Sequence, residues 1–296
     1  MHSRKVAHIA VLAVTMIYAG GFSISKIIMP DLIQPRGFIL LRVSVGTLLF
    51  WLFFLLRSKN KERISKKDFP RLILCGLFGV AMNQLFFFEG LSRTTPVHAA
   101  LMMLTTPILV VIMASIILKE RFTINKGIGI ALGLIGAFFL IYKGQSSDLG
   151  SNPGLGDFFV FLNAASYSMY LIAVKPLMSK YAPLTVIRWV FLFGAVMVLP
   201  FGIFQVGEID WTLFTGQSYW VLAYVLIAMT FLAYLWNVFA MKQLSPTVIG
   251  SYIYLQPFLA SIIAILFFEE SMNWIKVVAG ILIFSGVYLV SRKKAT

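Results

Sequence analysis

Ten apolar segments, each about as long as a membrane-crossing helix, run through the chain from end to end. They fall approximately at residues 8–29, 37–56, 70–90, 96–118, 124–142, 156–177, 184–205, 218–241, 246–268 and 274–291. A helix needs ~20 apolar residues to cross the hydrocarbon core of a bilayer. Only 12% of the residues are charged, whereas soluble domains hold roughly 25%. The sequence therefore predicts an all-α integral membrane protein with ten transmembrane helices.

The basic residues indicate how this protein is oriented. With the N-terminus placed inside, 17 Lys and Arg residues fall in cytoplasmic segments and 4 fall outside. This bias is the positive-inside rule, and it predicts a multi-pass protein of the cytoplasmic (inner) membrane with both termini in the cytoplasm. The basic run at 57–67 is interpreted as a topogenic loop rather than a site for nucleic acid or anionic lipid. It lacks the interleaved aromatic residues that single-strand binding uses, so no nucleic-acid partner is expected.

Cysteine and histidine give no sign of redox or metal chemistry. Cys75 is the single cysteine and cannot form a disulfide within the chain. The histidines stand at positions 2, 8 and 98, without the spacing of a metal site. We expect no metal and no cofactor; the expected partners are the lipid bilayer and a small-molecule substrate.

The chain repeats itself at an offset of 150 residues. At this offset Pro107 aligns with Pro257 and Gly136 with Gly286, and the start of each half aligns more loosely at 149. The first repeat covers 8–142 and the second 156–291, with five spans each. Because five is odd, the second repeat enters the membrane inverted. Inverted repeats are typical of secondary transporters, whose substrate site lies near the midplane where the halves meet. The sequence thus predicts two inverted five-helix repeats around a central cavity.

These features together resemble one family. Ten spans in two halves, a proline in the middle of the fourth and ninth spans, and "LKER" or "FEES" at the ends of those spans are similar to the EamA-type branch of the drug/metabolite transporter superfamily. The resemblance implies a cavity lined by spans 1, 3, 4, 6, 8 and 9, with spans 5 and 10 to the side. It also implies transport of amino acids, other small metabolites or drugs, often outward. Where the family often has a Trp-Gly pair in its first span, this chain reads "YAGG", so no role for that indole carries over.

Polar groups in the middle of a bilayer are energetically unfavourable, so each one indicates a partner or a function. Features present in both halves are assigned to the scaffold, since substrates rarely share a protein's pseudo-symmetry. Asn83 and Gln84, in "MNQLFFFEGL", align with Ala233 and Tyr234 and therefore occur once. They lie ~20 Å along the third span, near the midplane. We predict that they bind substrate; the alternative is hydrogen bonding between helices.

Further substrate-binding candidates are polar, aromatic and methionine side chains on the spans that line the cavity in the family. They would form an amphipathic pocket, and methionine adapts to ligands of varied shape. These candidates are Tyr18, Met103, Asn163, Tyr167, Trp236, Asn237, Tyr254 and Gln256.

Four cations lie inside the predicted spans. Lys26 and Arg42 lie toward the outer ends of spans 1 and 2, and Lys175 and Arg188 toward the inner ends of spans 6 and 7. Snorkelling of the side chains to the headgroups explains all four. The alternative is a gate or a carboxylate-binding role, for which Lys26 and Lys175 are the gate candidates.

Glu89 and the paired prolines complete the set of candidates. Glu89 lies near the outer end of the third span, where an ion pair with Arg93 at i, i+4 is predicted and proton coupling is the alternative. Pro107 and Pro257 break the hydrogen-bond ladders of their helices, so they are predicted to kink them and shape the cavity.

The predicted function is secondary transport of small organic metabolites by alternating access, with outward movement of amino acids or similar solutes as the leading hypothesis. The rivals are an intramembrane lipid-modifying enzyme and a metabolite channel. Catalysis usually needs a carboxylate pair with metal or a Ser/His/Cys constellation, and the sequence shows neither. A glycine face at Gly129 and Gly133 favours close helix packing, interpreted as packing within a monomer, with dimerisation as the alternative.

Overall fold

The computed structural model describes residues 2–25, 27–57, 62–94, 99, 102–142, 153–259, 262 and 274–291, and every regular element in these ranges is helical. The α-helices are α1 (His2–Ser25), α2 (Pro35–Arg57), α3 (Phe69–Gly76), α4 (Met82–Arg93), α5 (Thr106–Ile117), α6 (Ile124–Tyr142), α7 (Pro153–Lys180), α8 (Pro183–Gly207), α9 (Gly216–Tyr224), α10 (Ala233–Met241), α11 (Pro246–Ser251) and α12 (Trp274–Ser291).

Short π-helical segments join two pairs of these helices into longer ones. Leu77–Ala81 connects α3 to α4, and Val225–Leu232 connects α9 to α10. The two segments overlap when one is shifted by 150 residues, and each lies within one turn of candidate site residues, Asn83 after the first and Trp236 after the second. In the second segment the Thr230 hydroxyl donates to Val225 O, five residues back, at 2.7 Å. π-Helical turns of this kind occur frequently at functional sites.

Proline marks where several helices begin. The helices α2, α7, α8 and α11 start at Pro35, Pro153, Pro183 and Pro246. The first turn of a helix needs no backbone N–H from this residue, and the fixed φ of proline is already helical. The sequence thus sets these boundaries locally, before any packing is considered.

The exterior of the helices is apolar. Within the described ranges, five continuous helices are long and apolar enough to cross a membrane: Pro35–Leu56, Lys66–Arg93, Gly154–Lys180, Pro183–Gly207 and Gly216–Met241. Their outward side chains include Leu56, 76% exposed, and Phe204, 79% exposed. Exposed apolar surface on this scale fits a lipid environment. The prediction of an all-α integral membrane protein is confirmed.

The fourth and ninth predicted spans are interrupted close to the paired prolines. Residues 104 and 105 form a turn, and α5 starts at Thr106 with Pro107 in its first turn. The 3₁₀ segment Tyr252–Tyr254 lies just before Pro257. Proline cannot donate an N–H and its ring clashes with the carbonyl four residues back, so it kinks or breaks the helix in the turn before it. The backbone is therefore broken where the sequence predicts a kink.

The long helices of the first half pack mainly against helices of the second half. The pairs are α1 with α10, α2 with α8, α4 with α7, and α6 with α12. In the last pair, an added Cβ on Gly129 would lie 2.7 Å from Gly286 O. A Cβ on Gly133 of α6 would lie 2.4 Å from the ring of Tyr254, in the 3₁₀ segment before Pro257. Only glycine permits such close approach. The glycine face thus packs within the chain.

Candidate functional site

A cavity of about 850 Å³, including the space where it opens to the surroundings, lies between the two halves. Its wall comes from α1, α4, α7 and α10, from Met103 just before the first helix break, and from residues within and on both sides of the second break. The π-helical segment Val225–Leu232 adds Met229, and α2 adds a single residue, Arg42. The spans that line the cavity agree with those implied by the family resemblance. In addition, α2 of the second span contributes Arg42, which the resemblance did not imply.

Eight of the ten predicted substrate-binding residues line this cavity. They are Tyr18, Asn83, Gln84, Met103, Asn163, Tyr167, Asn237 and Gln256. The structure therefore brings these side chains together around one space. Their role in binding stays a prediction.

Trp236 and Tyr254 are not part of the lining. Trp236 is partly buried on α10 next to Asn237, and neighbours on a helix point ~100° apart. Tyr254 is fully buried, with its ring against the space that Gly133 leaves on α6. Its ring therefore packs between helices instead of facing the cavity.

The Gln84 side chain is both a link between helices and part of the cavity wall. Its Nε2 donates to the Tyr234 hydroxyl at 3.1 Å, and that hydroxyl donates to Gly79 O at 3.2 Å. Because the hydroxyl has one proton and gives it to Gly79, it can only accept from Gln84. The amide oxygen Oε1 is buried and has no hydrogen-bond partner among the described residues.

The hydrogen-bond partner of Asn163 likewise determines the orientation of its amide group. Asn163 Nδ2 donates to Asn83 O at 2.6 Å. A carbonyl oxygen only accepts, so the nitrogen of Asn163 faces α4. Its oxygen Oδ1 remains buried without a hydrogen-bond partner in the described part of the chain. Asn237 repeats the pattern, since its Nδ2 donates to the Tyr167 hydroxyl at 2.6 Å and its Oδ1 is also unpaired there.

Backbone carbonyls of the helix Lys66–Arg93 accept these and other bonds. Ser166 donates to Phe78 O at 2.7 Å, beside the bond from Tyr234 to Gly79 O. Both carbonyls lie in the π-helical segment. A polar side chain inside a membrane protein is stable when it satisfies such groups, so α7 and α10 hold this irregular segment in place.

Arg42 lines the cavity, although it was not among the predicted substrate-binding residues. It is 3% exposed, and its Nε donates to Thr230 Oγ1 at 3.0 Å. The guanidinium carbon lies 4.9 Å from the centre of the Phe88 ring. A snorkelling side chain reaches the protein exterior, whereas this one is enclosed, so the snorkelling interpretation is wrong for Arg42. Its position ~10 Å into α2, seven residues after Pro35, is the signal by which the sequence could have indicated it.

The other two described cations also have internal partners. Arg188 is 7% exposed, with its guanidinium carbon 3.3 Å from the centre of the Phe54 ring, so snorkelling is wrong there too. Lys175 Nζ donates to Met241 O at 2.5 Å and Leu244 O at 2.6 Å. A cation at the C-terminal end of α10 is favourable, and this contact replaces the headgroups. A gating role for Lys175 stays a prediction, and Lys26 lies outside the described residues.

Glu89 is paired at the end of the bundle, away from the cavity. Its carboxylate contacts Arg93, four residues on, and accepts from Arg36 Nε at 2.5 Å. The predicted pair with Arg93 is confirmed. The backbone N–H groups of Arg36 and Gly37 both donate to Gln205 Oε1, at 2.9 and 3.0 Å. This ion cluster thus lies where α2, α4 and α8 meet. Proton coupling by Glu89 stays a prediction.

Comparison with known proteins gives consistent matches along the whole chain. The model of the EamA-like transporter family matches residues 5–142 and 154–292. An uncharacterized transporter of Archaeoglobus fulgidus is 24% identical over 286 residues, which cover 96% of each chain. The protein WALLS ARE THIN 1 of Arabidopsis thaliana is 24% identical, over 96% of this chain and 82% of its own. A solved crystal structure has the same fold, with a TM-score of 0.76 at 18% identity over 99% of both chains.

Proposed function

Because the chain belongs to the EamA-like transporter family, we propose that it is a secondary transporter that carries small organic metabolites across the cytoplasmic membrane. Relatives from archaea and bacteria are named transporters, which supports membrane transport as the general activity. Amino acids or related solutes are the proposed cargo, and outward movement is the proposed direction. The protein is proposed to work as a monomer, since its glycine face is used inside the chain.

The observation that carries this proposal is the position of the cavity. It lies between the halves and takes side chains from both, with Gln84 and Asn83 on one side and Asn163, Tyr167 and Asn237 on the other. A site at such a boundary is alternately exposed when one half rocks against the other. The interrupted helices around residues 104–105 and 252–254 border the same space. Irregular backbone beside a membrane cavity is typical of transporters.

The proposed architecture is ten transmembrane helices in two inverted repeats, and the packing between halves supports it. A Cβ on Gly136 would lie 2.8 Å from Ala279 O, and one on Gly286 would lie 2.5 Å from Gly129 O. A shift of 150 residues converts the first contact into the second. Paired contacts of this kind are what a two-fold pseudo-symmetry produces.

Counterflow in proteoliposomes tests the transport mechanism. Vesicles that contain the purified protein are loaded with an unlabelled amino acid and diluted into a trace of the same labelled compound. An alternating-access carrier exchanges the two, so the label accumulates transiently above its equilibrium level. The proteinogenic amino acids are assayed one by one, with protein-free vesicles as the control.

The two rival functions predict different results in this assay. A channel lets the label equilibrate without any overshoot, and an intramembrane enzyme moves no label at all. Overshoot with at least one amino acid is expected. Equilibration alone, or no flux across the whole panel, contradicts the proposal.

The proposed orientation, with both termini in the cytoplasm, has its own test. Lys67 and Glu208 are exposed at opposite ends of the bundle in the proposed topology, so each is replaced by cysteine in a Cys75→Ala background. Cys75 is fully buried and packs as a small apolar group. We expect a membrane-impermeant maleimide to label position 208 in intact cells and position 67 only after lysis. The reverse pattern would invert the topology.

A further inference from the structure

Arg42 brings a positive charge into the cavity that no carboxylate in the described ranges balances. The ion pairs there join Glu89, Glu120 and Asp68 to other cations. Around Arg42 lie the rings of Phe38 and Phe88, and its bond to Thr230 engages one of the five N–H donors of a guanidinium. A buried cation without a counterion is strongly unfavourable. The cavity wall is therefore suited to an anionic group, and a carboxylate matches the planar fork of arginine.

The residues that line the same cavity also provide hydrogen-bond acceptors. Gln84 and Asn163 are each 2% exposed, and their amide nitrogens are held by Tyr234 and by Asn83 O. Their oxygens are unpaired acceptors among the described residues. An unsatisfied buried acceptor is costly, and an ammonium group supplies three donors. Gln84 and Asn163 line the cavity, and their two enclosed, unpaired acceptor oxygens are therefore suited to a primary ammonium.

The helices fix how far apart the two subsites lie. Arg42 contacts Phe88 on one helix and Thr230 on the other, whereas the bond between Gln84 and Tyr234 joins the same two helices. In both helices the contacts are four residues apart, and in the regular α-helix α4 the four residues from Gln84 to Phe88 span ~6 Å at 1.5 Å per residue. One small molecule with adjacent charged groups can reach both subsites through hydrogen bonds of ~2.9 Å.

We infer that the cavity recognises a zwitterion, with Arg42 binding the carboxylate and the amide oxygens of Gln84 and Asn163 binding the ammonium. This inference rests on the proposed transport function and specifies what that site selects. The rest of the wall is largely apolar, with Val11, Val14, Ile249 and Ile253 among its aliphatic members. An amino acid with an aliphatic side chain combines these properties, so L-leucine is the probe.

The contribution of each subsite is measured on the wild-type protein in detergent, by isothermal titration calorimetry with three ligands. L-Leucine has both charges, L-leucinamide lacks the carboxylate, and 4-methylpentanoate lacks the ammonium. We expect each analogue to bind at least 10-fold more weakly than L-leucine, since hydrogen bonds to charged groups are the stronger class. This comparison requires no variant, so it is independent of folding defects.

The Arg42→Met variant then tests whether Arg42 is the residue that binds the ligand carboxylate. L-Leucine affinity should fall ~10- to 100-fold, the range expected for lost hydrogen bonds to a charged group, while L-leucinamide affinity stays within about 3-fold of wild type. Arg42→Lys should recover part of the loss. The matched control is Arg188→Met, which removes a buried arginine that stacks on Phe54 outside the cavity and should leave L-leucine binding unchanged.

Three results overturn the inference: no binding of L-leucine, equal binding of all three ligands, or an equal loss for L-leucine and L-leucinamide in Arg42→Met. If counterflow still occurs with some amino acid in any of these cases, the transport function stands and only the assignment of the subsites falls. If counterflow fails for every amino acid, the proposed function itself is contradicted.

Discussion

Gly286→Ala is expected to lower the melting temperature of the purified protein strongly and to reduce the yield of monodisperse protein. An added Cβ would lie 2.5 Å from Gly129 O and 2.8 Å from Gly133 N. These are backbone atoms, so no side-chain rotation relieves the overlap, and α12 must move away from α6 along a large part of their contact. Overpacking of this kind costs about 1–3 kcal/mol, occasionally more. That loss exceeds the ~1 kcal/mol by which alanine is the better helix former.

Two further variants make this result specific. Gly129→Ala changes the other helix of the same contact, where the added Cβ would lie 2.7 Å from Gly286 O. It should lower the melting temperature by a similar amount. Gly154→Ala is the matched control, because nothing lies within 4 Å of its added Cβ, and its melting temperature should equal or exceed that of wild type. None of the three residues lines the cavity, so ligand binding by the folded fraction should be unchanged. Equal melting temperatures for Gly286→Ala and Gly154→Ala would show that this contact does not stabilise the fold.

Gln84→Met and Tyr234→Phe are expected to lower stability together but to affect ligand binding differently. Each change breaks the same 3.1 Å hydrogen bond. Tyr234→Phe also removes the bond to Gly79 O and leaves the buried amide nitrogen of Gln84 unsatisfied, which costs about 1–3 kcal/mol. Gln84→Met leaves the Tyr234 hydroxyl bonded to Gly79 O, so its loss should be the smaller of the two. Since both remove one shared interaction, the double variant should lose less stability than the sum of the two single variants. Melting temperatures of the four proteins measure this coupling.

Binding separates the two roles of the glutamine. Gln84→Met removes the unpaired acceptor oxygen of a residue that lines the cavity and should weaken L-leucine binding ~3- to 10-fold, the effect of a lost neutral hydrogen bond, about 0.5–1.5 kcal/mol. Tyr234→Phe leaves that oxygen in place and should change affinity less. Equal affinities in both variants would mean that Gln84 serves only to join the helices. A larger loss in Tyr234→Phe would move recognition from the amide to the hydroxyl.

The sequence and the structure agree most closely where the physics is local. A run of apolar residues long enough to cross a bilayer must be helical and must face lipid somewhere, so the all-α membrane class follows from composition and spacing. The starts of α2, α7, α8 and α11 coincide with prolines for an equally local reason. The pair between Glu89 and Arg93 depends only on a separation of four residues in one helix.

The candidate site depended on a different kind of information. Asn237 faces the cavity while its neighbour Trp236 does not, and the sequence gives both the same depth in the membrane. The π-helical segments Leu77–Ala81 and Val225–Leu232 also alter which faces point inward. An extra residue in such a turn rotates everything after it by ~100°. Facing angles counted along a regular helix are therefore unreliable across these segments.

Repetition in the sequence showed which residues differ between the halves, but it did not show that they meet. Gln84 and Tyr234 are separated by the repeat distance and bond to each other across the boundary, because an interface between two related halves brings equivalent positions face to face. Arg42 and Arg188 look alike along the chain, yet one lines the cavity and the other stacks on Phe54. By itself the sequence determined the membrane helices, since their length, backbone hydrogen bonds and lipid-facing surface are set within each segment. Only the tertiary structure decided the site, because enclosure of a charge or an amide depends on side chains from five or more helices that are distant in sequence.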